Sequence, residues 1–312
     1  MVISIIALLI GILLPALGKA RESARAGVCL ANLRSAGQGI HSYGADYKSW
    51  VPGPNTSGAQ LTEDGNYSSL KGITSEPVQN FDWVSPTIAE TLGMPKDAGE
   101  RMAKLYNDEF KCPSNNEDYA GSAFGSLTIP ADEQPLSVSS YGAISQFMVS
   151  WVPFSSSLPA NKIYGRNFVS AAVEPPTNYQ PNLDFIKNAS LKMTAGDGVR
   201  YVDASTGEVT FNSAAKQIDG GNFASWGPSM AGVIFNGNPY KRGNDQQILN
   251  SERFAYRHGA NDAMNALFYD GHGETMNIEE SRRVEHGFPT GSIVRNTANL
   301  LDDSVAVGDV IQ

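Results

Sequence analysis

Charge is thin in this chain, and what there is runs acidic. Only 18% of its 312 residues are Asp, Glu, Lys or Arg, and the formal net charge is −9. A surface of that sign repels phosphate backbones, which argues against nucleic acid as a partner. Cysteine is scarcer still: the chain has two, Cys29 and Cys112. Their spacing matches neither a zinc pattern nor a Cys-x-x-Cys redox pair. Two readings stay open for them, a bridge formed in an oxidising compartment or two buried thiols. The motifs of common enzyme chemistries are missing too. There is no Gly-x-Ser-x-Gly, no His-Glu-x-x-His, no P-loop and no Gly-rich βαβ fingerprint. The expectation is therefore a non-enzyme without a cofactor. No segment repeats at a fixed period and no strands alternate with long helices, which disfavours a doubly wound α/β fold.

What the chain does have is an apolar beginning. Val2 to Leu17 is sixteen residues without a charge, and Ser4 is its one hydrogen-bonding side chain. Val2, Ile5, Ile6, Leu9, Ile12, Leu13, Pro15 and Leu17 are read as the membrane and assembly surface of a helix. Sixteen residues cover about 24 Å as a helix, several residues short of a hydrocarbon core about 30 Å thick. Past the run, Ala26, Leu30, Leu33, Gly37, Ile40, Gly44 and Tyr47 recur at steps of four and three, one side of the same helix. Leu30, Leu33, Gly37, Ile40 and Tyr47 are expected to pack that side on a sheet. Gly27, Gly37, Gly39 and Gly44 each cost a helix about 1 kcal/mol relative to Ala, so packing has to hold it, and small residues let a sheet come close. Pro52 and Pro54 predict an end near Trp50. The division is a spine over 1–50, with its anchor at 2–17, and a globular part over 51–312. A cleaved export signal has a candidate cut at Ala24-Arg25-Ala26, but Lys19, Arg21 and Arg25 stand between run and cut, where such signals are normally uncharged.

The remainder is rich in turns, with Gly and Pro at 31 and 17 residues. Residues 53–80 and 113–135 read as loops. Ser85-Pro86 opens a short helix, with Pro at its first position, and 97–107 a second. From Ser137 the texture turns to β. In 190–212 the pattern predicts strand, turn, strand, turn, strand, with Gly196-Asp197-Gly198 and Ser205-Thr206-Gly207 as the turns. The fold class is α+β: a long N-terminal helix packed on an antiparallel sheet, with loop-rich insertions.

Two stretches carry a family resemblance. The first, VISIIALLIGILLPALGKARESARAGVCLANLRSAGQGIHSYGADYKSWVP, resembles the N-terminal helix of prepilin-type proteins, the type IV pilins and type II secretion pseudopilins. It is most similar to the large pilin-like branch common in planctomycete-type bacteria. In that family a basic leader ending in Gly precedes Phe-Thr-Leu-Ile-Glu, with cleavage and N-methylation before the Phe. This chain starts where the family is already inside the helix, so a start cut short is expected, and neither the cleavage site nor the assembly glutamate maps onto it. The second stretch, FAYRHGANDAMNALFYDGHGETMNIEES, is similar to the branch's C-terminal His…Asp-Gly signature, with His258, Asp270 and Gly271 at its positions and His272 after them. Eleven residues separate His258 from Asp270, against nine usually, which predicts a wider loop around Asn261-Asp262. Locally, Asp270-Gly271 is hairpin chemistry in its own right. Cys112-Pro113-Ser114 is also found in the branch, which favours the bridge to Cys29.

The resemblance implies a structural subunit of a type II secretion or type IV pilus-like filament. It would be single-pass in the inner membrane, with its globular domain in the periplasm or at the cell surface. Its partners would be other pilin or pseudopilin subunits, the inner-membrane assembly platform and the lipid bilayer. Lys19, Arg21, Arg25 and Arg34 after the span would by themselves favour a cytoplasmic flank; the family's basic leader would supply the competing charge. His258, Asp262, Asp270, His272 and Glu274 offer nitrogen and oxygen ligands, but turn chemistry and a solvated face account for them more simply. No metal is expected, with His258 and Asp270 the candidates if one binds. Two further classes stay in view. One is a membrane-tethered binding module, for polysaccharide, with Trp83, Trp151, Trp226 and Tyr240 as contacts; the other is a cleaved periplasmic enzyme beginning at Gly27.

Overall fold

A computed structural model of the chain describes residues 2–52, 83–108, 110–116, 118, 130–137, 140–144, 147, 173–174, 176, 179–202, 251–259, 262–297, 300 and 302–312. The loop expected at 53–80, the Ser205-Thr206-Gly207 turn, Asn261, Trp151, Trp226 and Tyr240 lie outside these residues.

The apolar run and the stripe form one continuous helix, α1 (Val2–Asp46), of 45 residues and about 68 Å. Residues 2–21 are exposed on every side. The helix is long and apolar enough to cross a membrane, and nothing in its most apolar window is buried. Its buried residues begin at Cys29 and continue through Leu33, Ala36, Gly37, Gly39, Ile40, Tyr43 and Gly44, the three-and-four spacing of one face. The rod stops at Asp46, earlier than the prolines suggested. Lys48 and Ser49 take positive φ, which turns the chain, and Asn182 donates to the Lys48 carbonyl. Tyr47 therefore falls in the turn. It is exposed and stacks on Tyr43 at 4.3 Å, so it takes no part in helix–sheet packing.

Two short helices follow, α2 (Ser85–Ile88), with Pro86 in its first turn, and α3 (Ala98–Asn107), capped by the Asp97 side chain accepting from the backbone of Gly99 and Glu100. The strands are β1 (Tyr141–Ala143), β2 (Val173–Glu174), β3 (Met193–Val202), β4 (Ser251–Phe254), β5 (Ala263–Phe268), β6 (Gly273–Asn277) and β7 (Ile293–Val294). One-turn helices α4 (Ile278–Ser281) and α5 (Val284–Gly287) lie between β6 and β7. The main sheet is antiparallel throughout, in the order β1-β3-β5-β6, with β4 also paired to β3. β2 and β7 pair separately over a small apolar cluster of Val173, Val284, Phe288 and Val294.

Gly196-Asp197-Gly198 is not a turn: it lies inside β3, with Asp197 opposite Tyr141 and Gly196 between Gly142 and Ala266. Gly196 serves close packing there. A Cβ on Gly196 would come within 2.5 Å of the Met264 Cε and 3.1 Å of the Asn265 carbonyl.

α1 lies on this sheet and on α2. Gly37 faces Leu267 of β5, Gly39 faces Ile88 of α2, and Gly273 of β6 faces Leu30. Around them Leu33, Ile40, Phe254, Met264, Leu267 and Met276 are fully buried in one continuous core.

Candidate functional site

The chemistry of the described residues gathers where α1 enters the domain. His258 closes a tight turn before β5, its N–H donating to the Ala263 carbonyl at 3.0 Å, with Gly259 at φ +64° next to it. The imidazole is buried between two acids from distant parts of the chain. Nδ1 is 3.2 Å from Oε1 of Glu22 on α1, and Nε2 is 3.1 Å from Oδ2 of Asp197 on β3. A neutral imidazole has one N–H, so the form that donates to both carboxylates is the imidazolium. Burial works to lower the pKa of this ring, and the hydrogen bonds and charges of Asp197 and then Glu22 outweigh it, leaving it above 6.5.

Asp197 is fully buried. Its Oδ2 also accepts from the Asn265 backbone at 2.7 Å, while Oδ1 has no hydrogen-bond partner among the described residues. Asn265 in turn donates from its side chain to the Ala26 carbonyl of α1 at 3.0 Å and accepts from Thr275. Arg257 donates to the carbonyls of Ser140 and Gly198, tying β1 to β3 beside the histidine. Burial, then the nearby Asp197 charge, pushes the Tyr141 hydroxyl up, and Asn32 of α1 donates to that oxygen at 3.3 Å.

Against this cluster sits a disulfide between Cys29 and Cys112, with Cα atoms 5.0 Å apart and both residues fully buried. Cys112 Sγ is 3.9 Å from His258 Nε2. A groove of about 730 Å³ opens between α1 and the β5–β6 hairpin, lined among others by Lys19, Glu22, Leu30, His258 and Thr275.

The two ends of the C-terminal signature do not meet. Asp270 and Gly271 lie at the far turn of the hairpin, beyond six residues of β5, roughly 20 Å of strand from His258. They cannot share a metal ion. Asp270 holds the turn instead: its Oδ1 accepts from the His272 backbone at 3.1 Å and lies 2.5 Å from His272 Nδ1. Burial works to raise the Asp270 pKa, and these bonds to His272 outweigh it and hold the carboxyl below its usual value. Gly271 takes φ +89°, and the His272 ring stacks on Phe268 with centroids 4.4 Å apart. Trp83, a candidate glycan contact, is 1% exposed and packs on Phe110 in the core.

Sequence reasoning missed Glu22 and Asp197 as partners of His258. Glu22 is a single acid among Lys19, Arg21 and Arg25 with no motif around it, and Asp197 lies inside a Gly-Asp-Gly that local chemistry assigns to a turn. The arrangement ties α1 to β3, to the turn before β5 and to the segment after α3 by a buried histidine, two acids and a covalent bridge. No protein-family model, no curated protein and no solved structure matches this chain.

Proposed function

We propose that this chain is a structural subunit of a pilin-like or pseudopilin-like filament, of the type II secretion or type IV pilus kind. In this reading α1 anchors it in the inner membrane and residues 51–312 face the extracytoplasmic side. One observation carries the proposal. A single unbroken helix has its first twenty residues, 2–21, exposed on every side, while its second half is built into a folded domain. The uncharged run to Leu17 covers about 24 Å, and the exposed stretch to Arg21 about 30 Å, the thickness of a hydrocarbon core. The long side chains of Lys19 and Arg21 reach out to the headgroups. A helix of this kind moves from lipid to the flanks of sister helices at small net cost, because both surroundings are apolar. Pro15, inside the helix, removes one backbone hydrogen bond and loosens the rod, which a bundle of neighbours absorbs. Its partners are other subunits of the same kind and a membrane assembly platform, and a motor elsewhere supplies the work.

Deleting residues 2–18 tests this, since it spares Glu22 and everything the domain holds. The full-length chain should sediment with membranes and cross-link to copies or relatives of itself; the shortened chain should be a soluble monomer by sedimentation velocity. A shortened chain that still polymerises refutes the proposal. Nothing among the described residues favours the tethered glycan-binding alternative, whose one described aromatic, Trp83, is buried.

A further inference from the structure

The cluster at the foot of α1 has a second use that the disulfide conceals. We propose that the chain in its thiol form binds one zinc ion through Cys29, Cys112, the Nε2 of His258 and the carboxylate of Asp197, with Glu22 holding the histidine from behind.

One ligand atom from each of Cys29, Cys112 and His258 lies within 4.8 Å of the others, and all three residues are buried. Zinc takes sulfur at about 2.3 Å and nitrogen or oxygen at about 2.0–2.2 Å in a tetrahedron, which sets neighbouring ligand atoms about 3.4–3.8 Å apart. The distances present are 3.9 Å from Cys112 Sγ to His258 Nε2 and 3.1 Å from that nitrogen to Asp197 Oδ2. Closing the tetrahedron requires the two sulfurs to part, Nε2 to give up the proton it donates to Asp197 and the carboxylate to swing by about an ångström towards the sulfurs. Asp197 is the buried acid with an oxygen to spare, its Oδ1 lacking any hydrogen-bond partner among the described residues. Glu22, 3.2 Å from the other ring nitrogen, stands where zinc-binding histidines characteristically place a carboxylate, fixing the tautomer that leaves Nε2 free for the metal. The groove beside Glu22 reaches His258, the one ligand that lines it, so solvent comes to the edge of the cluster there.

The chemistry balances in both directions. Two thiols and Zn²⁺ give a zinc dithiolate and release two protons; the histidine proton on Nε2 leaves with them. Disulfide formation reverses the loading. The dithiolate gives two electrons to an exchangeable disulfide of an oxidant, which takes two protons and departs as a dithiol, and the zinc is expelled. The site therefore exists before oxidation and disappears with it. The inference is independent of filament assembly and stands or falls separately.

The test uses the full-length chain in detergent, reduced by a water-soluble phosphine without oxygen and titrated with Zn²⁺ against a chromophoric chelator. One zinc per reduced chain is expected, none in the disulfide form. Cobalt(II) in place of zinc should give the intense ligand-field spectrum of a tetrahedral site with thiolate charge transfer. The paired substitutions C29S and C112S should abolish binding. Glu22→Gln, at a partly exposed position that leaves the core intact, should weaken it by about 10-fold or more. The proposal is overturned if the reduced chain binds no more zinc than the oxidised one, or unfolds on reduction without recovery by zinc. It is also overturned if His258→Gln and Asp197→Asn both bind zinc as tightly as the parent, since the cysteines alone would then hold it.

Discussion

Two glycines on the same helix give a sharp test of how α1 is seated. A Cβ on Gly39 would fall 2.2 Å from the Cγ2 of Ile88 and 3.1 Å from the backbone oxygen of Thr87, whereas a Cβ on Gly27 meets nothing within 4 Å. Alanine at either site gains about 1 kcal/mol of helix propensity. At Gly27 that gain should survive nearly whole. At Gly39 it is set against overpacking of about 1–3 kcal/mol, because Ile88 is buried and the backbone of α2 has to move with it. Gly27→Ala should therefore raise stability by about 0.5–1 kcal/mol, and Gly39→Ala should leave it unchanged or lower it by up to about 2 kcal/mol. Urea unfolding of the full-length chain in detergent, followed by tryptophan fluorescence, reads both. Truncating Ile88 to Ala removes the clashing methyl, so Gly39→Ala should be less harmful in that background, with a coupling energy of about 1 kcal/mol or more. If the two alanine variants stabilise equally, or if the coupling is nil, α1 does not approach α2 through Gly39 and the packing described here is wrong.

The disulfide closes a segment with a sequence separation of 83. A loop of that length is worth about 4.5 kcal/mol in the chain-entropy account, so the paired Cys29→Ala and Cys112→Ala substitutions should cost several kcal/mol in urea; a loss below about 1 kcal/mol would mean that the bridge adds nothing. A second signature comes from Lys192. It is fully buried, its ammonium bonded to the carbonyls of Glu285 and Gln312, and burial, opposed by the Glu285 charge, pushes its pKa down to about 8 from 10.5. A lowered lysine pKa penalises folding fully below pH 8 and progressively less as the pH rises towards 10.5. The expected relief is on the order of 3 kcal/mol, and Lys192→Met should lack it. The buried Tyr141, Tyr179, Tyr256 and Tyr269, all pushed up by burial, oppose the trend above pH 10 equally in both proteins. The difference between parent and variant is the measurement, and a difference flat with pH refutes the assignment.

What the sequence disclosed was local. A three-and-four spacing specifies a helix face without reference to anything else, so Leu33, Gly37 and Ile40 were legible as its packed side. Tyr47 fits the same spacing but follows the last helical turn, and the positive φ of Lys48 and Ser49 that ends the helix has no composition cue. Asp270-Gly271 could be read as a turn because its deciding bond runs to His272, two residues away. Gly196-Asp197-Gly198 has the same local chemistry and the opposite outcome, because its deciding partners are His258 and Asn265, from a segment far along the chain. The cluster at the foot of α1 was out of reach for the same reason. Each member alone is an ordinary polar residue, and only the sheet's register and the docking of α1 bring them together.

The position of the bridge has a mechanical consequence. Cys29 is the first buried residue met on travelling along α1 from its exposed apolar half. A pull or twist applied at the apolar tip runs down a stiff rod, crosses the ion pair at Glu22 and the Asn265 bond to Ala26, and then reaches a covalent bond before it loads the packed face beyond. Tension is thus handed through sulfur to the segment after α3, and the rod's seat on the domain is shielded from peeling at the edge where peeling would begin.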